Sequence, residues 1–276
     1  MRLAHISDVH FGRIADPQIV DALIEQVNAS EVDAVVVSGD LSQRARPREF
    51  AAARDFIQAF ESPVLVVPGN HDVYPWWHPI KRWWKPLQRY RDMIQRDLSP
   101  SIEQPGLRIL GINSAHGRTI KGGRIGEEER QRITDYFSAQ PDDVFRVLVL
   151  HHHLIKLKME RSHDIARHAR ATLQTALRQK VDLILCGHLH ISHVEPIELS
   201  GGDHQIVIAS AGTATSDRGR GSNQSTNYYN LVAVDEAGFV ITEYRFAERS
   251  SRFEEERKHR FKRRTEGNLS GYDASL

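Results

Sequence analysis

Five apolar stretches of this chain each end on Asp, Asn or His. Arg2–Ser7 runs into Asp8-Val9-His10, and the stretch Asp33–Ser38 into Gly39-Asp40. Val64–Val67 is followed by Gly69-Asn70-His71-Asp72, Phe145–Leu150 by His151-His152-His153, and Val181–Cys186 by Gly187-His188-Leu189-His190. A short apolar run bounded by turn residues reads as a buried strand. Between the runs lie apolar residues at helical spacing. Pro17–Ala29 carries Ile19, Val20, Leu23, Ile24 and Val27, with Asp16 placed to cap the helix and Pro17 at its first position. Pro47–Phe60, Glu127–Ala139 and Ile165–Gln179 repeat the pattern. Strands alternating with helices predict an α/β sheet with helices on its faces. In such sheets ligands bind outside the carboxyl ends of the strands. The five polar clusters are therefore expected to converge on one crevice.

After residue 193 the pattern changes. Val194–Leu199, Gln205–Ala209, Tyr228–Val234 and Val240–Phe246 read as successive strands without helices between them. They predict a second, mostly antiparallel sheet packed on the first. Residues 1–247 are read as one domain with a Trp-rich insertion at 73–98, and 248–276 as a charged, flexible tail.

Composition narrows the chemistry. The 276 residues include one Cys, Cys186, so an intrachain disulfide and a thiolate metal cluster are excluded. There are 15 His, so a bound transition metal would be held by imidazoles beside oxygen donors. Lys plus Arg number 37 and Asp plus Glu 36, a net charge of +1. That balance argues against a protein that coats nucleic acid or an anionic membrane. No stretch approaches the ~18 consecutive apolar residues of a membrane-spanning helix. The N-terminus MRLAHISDVHFG has no secretory h-region. With a single Cys, a cytoplasmic location is expected.

In extended chain, residues i and i+2 point the same way, so Asp8 with His10, and His188 with His190, would each present two donors to one side. The set holds three to four imidazoles, two carboxylates and one amide oxygen. One tetrahedral ion takes four protein ligands at most. Two ions ~3.5–4 Å apart sharing a carboxylate fit better. Nitrogen and oxygen donors without sulfur suit Mn, Fe, Co or Zn.

DVH, GD, GNHD, a strand-terminal His and GHLH, in this order over residues 6–190, resemble the calcineurin-like metallophosphoesterase superfamily. The extended forms GDLSQRARPREF and VPGNHDVY look most like the bacterial class III cyclic-nucleotide phosphodiesterases. The resemblance implies a four-layer αββα sandwich of two mixed sheets flanked by helices. It implies one metal held by Asp8, His10, Asp40 and His190 and another by Asp40, Asn70, His151 and His188, with Asp40 bridging. His71 would act as an imidazolium toward the leaving group, oriented by Asp72. Two divalent ions would supply hydroxide near neutral pH. The family often has Pro where this chain has His153, which leaves His151, His152 and His153 to be distinguished; His151 directly ends the strand.

The function expected on these grounds is hydrolysis of a small phosphodiester, a cyclic nucleotide first. A lipid-phosphate, pyrophosphate or glycerophosphodiester hydrolase at a membrane surface is the alternative, and a non-enzymatic metal-binding module the other. A nuclease is disfavoured by the charge balance, with Arg257 to Arg264 the one basic run in its favour. Arg44, Arg46, Arg218 and Arg220 are candidate substrate contacts, as are Asn223 and Asn227; Asn70 and His71 would also face the substrate. His5 is read as a core residue and Cys186 as a small buried one. His163 and His193 are the remaining histidines that could line the pocket. The segment 73–98 holds all four Trp among Lys and Arg. It can be a core-packing insertion, a cap or oligomer contact, or an interfacial helix whose residues 76–91 meet a membrane surface.

Overall fold

The computed structural model describes residues 1–118, 122–138, 140–141, 143–157, 165–197 and 204–263. His163, Ala139, Leu199 and positions 264–276 of the expected tail lie outside them. The elements are β1 (Arg2–Ile6), α1 (Pro17–Ala29), β2 (Ala34–Val37), α2 (Pro47–Gln58) and β3 (Val64–Val66). Two short helices follow, α3 (Pro79–Trp84) and α4 (Gln88–Met93). Next come β4 (Ser101–Gln104), β5 (Leu107–Gly111), α5 (Glu127–Phe137), β6 (Phe145–Val149), α6 (Ala169–Arg178) and β7 (Leu183–Cys186). The chain then runs through β8 (His193–Ile197), β9 (Ile206–Ser210), β10 (Tyr228–Val234), β11 (Gly238–Ala247) and β12 (Arg252–Lys262).

The strands form two six-stranded sheets, ordered β12-β11-β10-β1-β2-β3 and β4-β5-β6-β7-β9-β8. β1, β2 and β3 pair in parallel, as do β5, β6, β7 and β9, while β4, β8, β10, β11 and β12 join antiparallel. Alternation along single strands builds the four layers. In β2, Val36 faces the second sheet while Val35 and Val37 face the helices. In β6, Phe145, Val147 and Val149 enter the same inter-sheet core, and Leu148 packs outward with Ile133, Phe137 and Leu173 of α5 and α6. Both faces are covered, so these strands read as unbroken apolar runs. Helix α1 starts as expected: Asp16 accepts from the Gln18 N–H at 2.9 Å, and Pro17 takes the first turn.

Two expectations are corrected. The late strands do not form a sheet of their own. β8 and β9 complete the second sheet, while β10 and β11 extend the first, with β10 antiparallel to β1. Each sheet lacked partners on one side of its parallel strands, and the late strands fill those positions. The charged run after 247 is not a tail up to residue 262. It forms β12, pairing along the whole of β11 and burying Phe253 and Phe261. The two Phe are spaced eight apart among Glu, Arg and Lys, so the period is hidden by charge. Charged residues suit an edge strand, where they discourage further pairing. Several are paired: buried Glu243 accepts from Arg257 at 2.9 Å and from His259 at 2.8 Å.

Phe253 packs edge-on against Tyr229 and Phe246, with centroids 5.2 and 5.3 Å away. Phe253→Ala should cost about 3–5 kcal/mol, as for other buried Phe. Lys258→Ala, on the exposed face of the same strand, should stay within about 0.5 kcal/mol. Urea unfolding midpoints of the two variants check this; equal midpoints would mean that β12 is not a structural strand.

Candidate metal centre

Three of the five polar clusters leave their strands through an unusual backbone. Asp8, His10, Asp40, His188 and His190 all have positive φ, at 54°, 54°, 52°, 73° and 59°. Asp and His are among the non-glycine residues that enter this left-handed region most readily, at a cost of about 1–3 kcal/mol each. The donors of Asp8-Val9-His10 and His188-Leu189-His190 therefore do not share a face through strand alternation, as the spacing suggested. The strand has ended, and each pair is placed by a left-handed residue at either end. Loop-to-loop hydrogen bonds hold this arrangement: Asp8 N–H to Gly39 O (3.1 Å), His10 N–H to Asp40 O (2.9 Å) and Gly187 N–H to His151 O (3.0 Å). Gly39 has φ +97°, and a Cβ there would lie 2.6 Å from His151 Nδ1. A Cβ on Gly69 would fall on the carboxylate and backbone nitrogen of Asp40.

Two groups of donors result. Asp8, His10, Asp40 and His190 bring ligand atoms together within 4.8 Å of one another, all buried. His190 Nε2 lies 3.1 Å from both His10 Nε2 and Asp8 Oδ1. Such separations match donors sharing one ion at roughly 2.0–2.2 Å from each. The second group is His151, His152 and His188. His151 Nε2 is 3.2 Å from Asn70 Oδ1 and 3.3 Å from Asp40 Oδ2. Asp40 Oδ2 is also 3.7 Å from His10 Nε2, so one oxygen stands between the two groups. Tautomers are set from behind. His151 Nδ1 donates to Ser38 O at 2.8 Å and His190 Nδ1 to Arg218 O at 2.7 Å, which leaves both Nε2 lone pairs for the centre. Among the described residues, Asp8 Oδ1 is a buried oxygen without a hydrogen-bond donor, as an atom reserved for a cation would be. The donor set fits a pair of divalent ions.

His152 was left open by the sequence. Its Nδ1 pairs with the Ser114 hydroxyl at 2.8 Å and its ring lies 4.6 Å from that of His188. A ligand atom of His152 lies within 4.8 Å of those of His151 and His188, and its buried Nε2 has no hydrogen-bond partner among the described residues, which only the fold shows. His153 turns away to Ser210 and Cys186.

Electrostatics follow from burial and from crowding. Burial alone would raise Asp8 and Asp40, but His190 beside Asp8 and His151 beside Asp40 hold both well below the usual carboxylate range. Burial lowers His10 to about 4 and His188 to about 3. Burial opposes the proton on His151 too, yet the Asp40 charge outweighs it and raises that imidazole to about 9.

Two assigned roles change. Asp72 does not touch the His71 ring. It accepts from the backbone N–H of Leu41, Ser42 and Gly69 and from the Ser42 hydroxyl at 2.9–3.2 Å, fastening the GD loop to the GNHD loop. His71 is instead held by Gln43 O, 2.8 Å from its Nδ1, while its Nε2 faces Arg218 Nη1 at 3.0 Å. Burial, with help from the Arg218 charge, lowers the His71 pKa. A guanidinium occupies the donor position at Nε2, where the proton of an imidazolium was expected.

Of the other candidates, Arg218 reaches the centre and Arg44 lies beside Trp77 at 5.7 Å. Arg46 pairs with Glu49 at the start of α2, 3.9 Å away. Arg220 is exposed, and Asn227 donates to Thr213 and Ser216 carbonyls within its own loop. Asn223 is buried in the same loop. His5 is a core residue bonded to Ser38 at 2.9 Å, and His193 pairs with Glu195 at 3.2 Å. Cys186 is buried, with its thiol pushed up by burial.

The raised His151 pKa gives a signed expectation. Its proton stabilises the metal-free chain in full below 6.5, and that contribution is lost as pH rises through about 9. Coordination requires the neutral ring, so binding must displace the proton. Titrating the metal-free chain with Mn²⁺ in weak buffer should release about one proton per chain near neutral pH from His151, and none above roughly pH 10; no release near neutrality would contradict the arrangement. Gly69→Ala should weaken metal binding on the order of 10–100-fold, read by equilibrium dialysis, with the far-ultraviolet circular dichroism retained.

A family model described as calcineurin-like phosphoesterase matches residues 1–192. The chain is 26% identical over 257 residues to the cAMP/cGMP dual specificity phosphodiesterase MT0825 of Mycobacterium tuberculosis, covering 83% of this chain and 77% of that one. It is 42% identical over 82 residues to the glycerophosphodiester phosphodiesterase GpdQ of Enterobacter lignolyticus, a match to 26% of this chain and only 30% of that protein. A dimetal phosphatase from Danio rerio shares the fold, with TM-score 0.65 at 12% identity over 96% of this chain and 99% of that one. Two mixed sheets, strand-end donors and a match spanning all five motifs agree: the chain belongs to the calcineurin-like phosphoesterase family.

Proposed function

We infer that this chain hydrolyses small phosphodiesters at a dinuclear centre held by Asp8, His10, Asp40 and His190 on one side and Asp40, Asn70, His151 and His188 on the other. The observation that carries the reading is the position of Asp40 Oδ2 between His10 and His151. A single carboxylate oxygen within reach of two buried donor groups is the arrangement a shared ligand requires. When bound, the pair of divalent ions supplies the nucleophile and screens the charge of the phosphate.

The residues around the centre supply the rest. Arg218 presents Nη1 3.0 Å from His71 Nε2, so a guanidinium and an imidazole meet at one point beside the ligands. The Arg218 guanidinium, oriented by His71, is the donor that stabilises charge as it grows on the oxygen that departs. The backbone N–H of His71 donates to Asp40 Oδ1 at 2.8 Å and ties that pair to the shared carboxylate. Asp72 keeps the two loops in register from behind. A cyclic nucleotide is the first substrate to try, since the M. tuberculosis relative that aligns over most of both chains carries that name. A glycerol- or lipid-linked diester is the second reading, favoured by the exposed Trp of residues 76–84. A cytoplasmic location fits the first reading, and among the described residues no helix is long and apolar enough to cross a membrane.

Hydrolysis of bis(p-nitrophenyl) phosphate with added Mn²⁺, abolished by chelator, is the expected activity; no metal-dependent turnover at any pH would leave only a binding module. Asp40→Ala should lose metal and turnover together. His71→Ala and Arg218→Ala should each lower kcat on an alkyl diester by roughly 10²–10⁴-fold. The double variant should be no worse than either single one, as for groups that act as a unit. Fully multiplicative losses would separate their roles.

A further inference from the structure

The segment between β3 and β4 has a buried stem and an apolar tip. Val73, Tyr74, Leu87 and Tyr90 are buried, and Tyr74 N–H donates to Pro86 O at 2.9 Å, closing the base of the loop. Between them the chain projects Trp76, Ile80, Trp83 and Trp84, exposed by 74, 75, 60 and 78%, with Trp77 at 43%. The core-packing reading of this Trp cluster is thus set aside: the stem packs and the tryptophans do not. An exposed apolar patch on a rigid base marks an interaction surface.

Charge identifies the partner. Residues 73–91 contain no Asp or Glu and five Lys or Arg. Lys81 of α3 and Lys85 just after it are exposed, and two exposed arginines from other loops lie over the rings, Arg118 4.6 Å from Trp83 and Arg44 5.7 Å from Trp77. Indole rings favour the boundary between headgroup and hydrocarbon, and cations beside them pair with lipid phosphates. A second copy of this chain would set these four cations against their own images across a twofold contact. A single nucleic acid strand would stack on indoles but gain nothing from Ile80.

We propose that residues 76–85 form a docking surface for an anionic phospholipid bilayer. The surface adjoins the candidate centre. Trp77 and Arg44 both line a cleft of about 520 Å³ with Arg46, His78 and Arg89. Arg44 is next to Gln43, whose carbonyl holds the His71 ring. A chain docked through α3 therefore brings a cationic cleft that shares Trp77 with the surface near the headgroup layer. Docking does not depend on which diester is cleaved.

Flotation of the full chain with vesicles tests the proposal. Binding is expected to phosphatidylcholine vesicles containing phosphatidylglycerol, with a blue shift of Trp emission, and to weaken in high salt. Pure phosphatidylcholine should bind far less. Trp76→Ala/Trp83→Ala/Trp84→Ala should reduce binding by more than about tenfold while leaving turnover of soluble bis(p-nitrophenyl) phosphate unchanged. Lys81→Gln/Lys85→Gln should reduce it roughly 25-fold, about fivefold per cation, and flatten the salt dependence. No flotation with anionic vesicles at low salt overturns the proposal. So does tryptophan-variant binding equal to wild type, or a wild-type dimer in light scattering that the tryptophan variant converts to monomer, or displacement from vesicles by oligothymidylate. Loss of metal-dependent turnover in the wild type would instead count against the phosphoesterase centre and leave the flotation result standing.

Discussion

The contact on which the rest depends is a buried carboxylate set between imidazoles. Asp40 is almost wholly out of solvent, within 3.3 Å of His151 and 3.7 Å of His10. Isolating such a charge would cost several kcal/mol. Here it holds a proton on His151, and divalent ions would replace that proton. Much of the surrounding architecture serves this placement: left-handed backbone at five donors, glycines where a side chain would collide, and Asp72 tying the two loops together from the far side.

The five-strand pattern was legible because polar residues directly after apolar runs have few structural uses. Their convergence needs more than the single α/β sheet expected: the first three clusters end strands of one sheet and the last two end strands of the other, and the packing of the two sheets brings them together. The candidate donors Asp8, His10, Asp40 and His190 come together in one group and His151 in another, and Asp16 caps α1 as its spacing implies. What stayed hidden shares a physical cause. The Arg218–His71 contact joins residues 147 positions apart, and nothing in the loop near 218 distinguishes an arginine that reaches the centre from Arg220, which does not. The sequence likewise could not tell that Asp72 points at backbone amides, because an aspartate beside a histidine suggests a pair.

The late strands were misplaced for a different reason. Antiparallel strands look alike whichever sheet they join, and only the open edges of the parallel strands decide. β12 was missed because its two buried Phe are diluted by nine other residues, most of them charged. Charge runs read as solvated tails when no partner strand is known.

The centre straddles the sandwich. Asp8, His10 and Asp40 come from one sheet, His151, His188 and His190 from the other, and Asp40 meets His151 and Asp8 meets His190 across the gap. The gap between the sheets acts as a calliper whose jaws are Leu3, Val36 and Val232 against Val147, Leu185 and Val207. A close-packed interior transmits strain instead of absorbing it. A change of volume among these aliphatic residues would reset the span between the two donor groups, so the geometry offered to a metal is written partly in the hydrocarbon of the core.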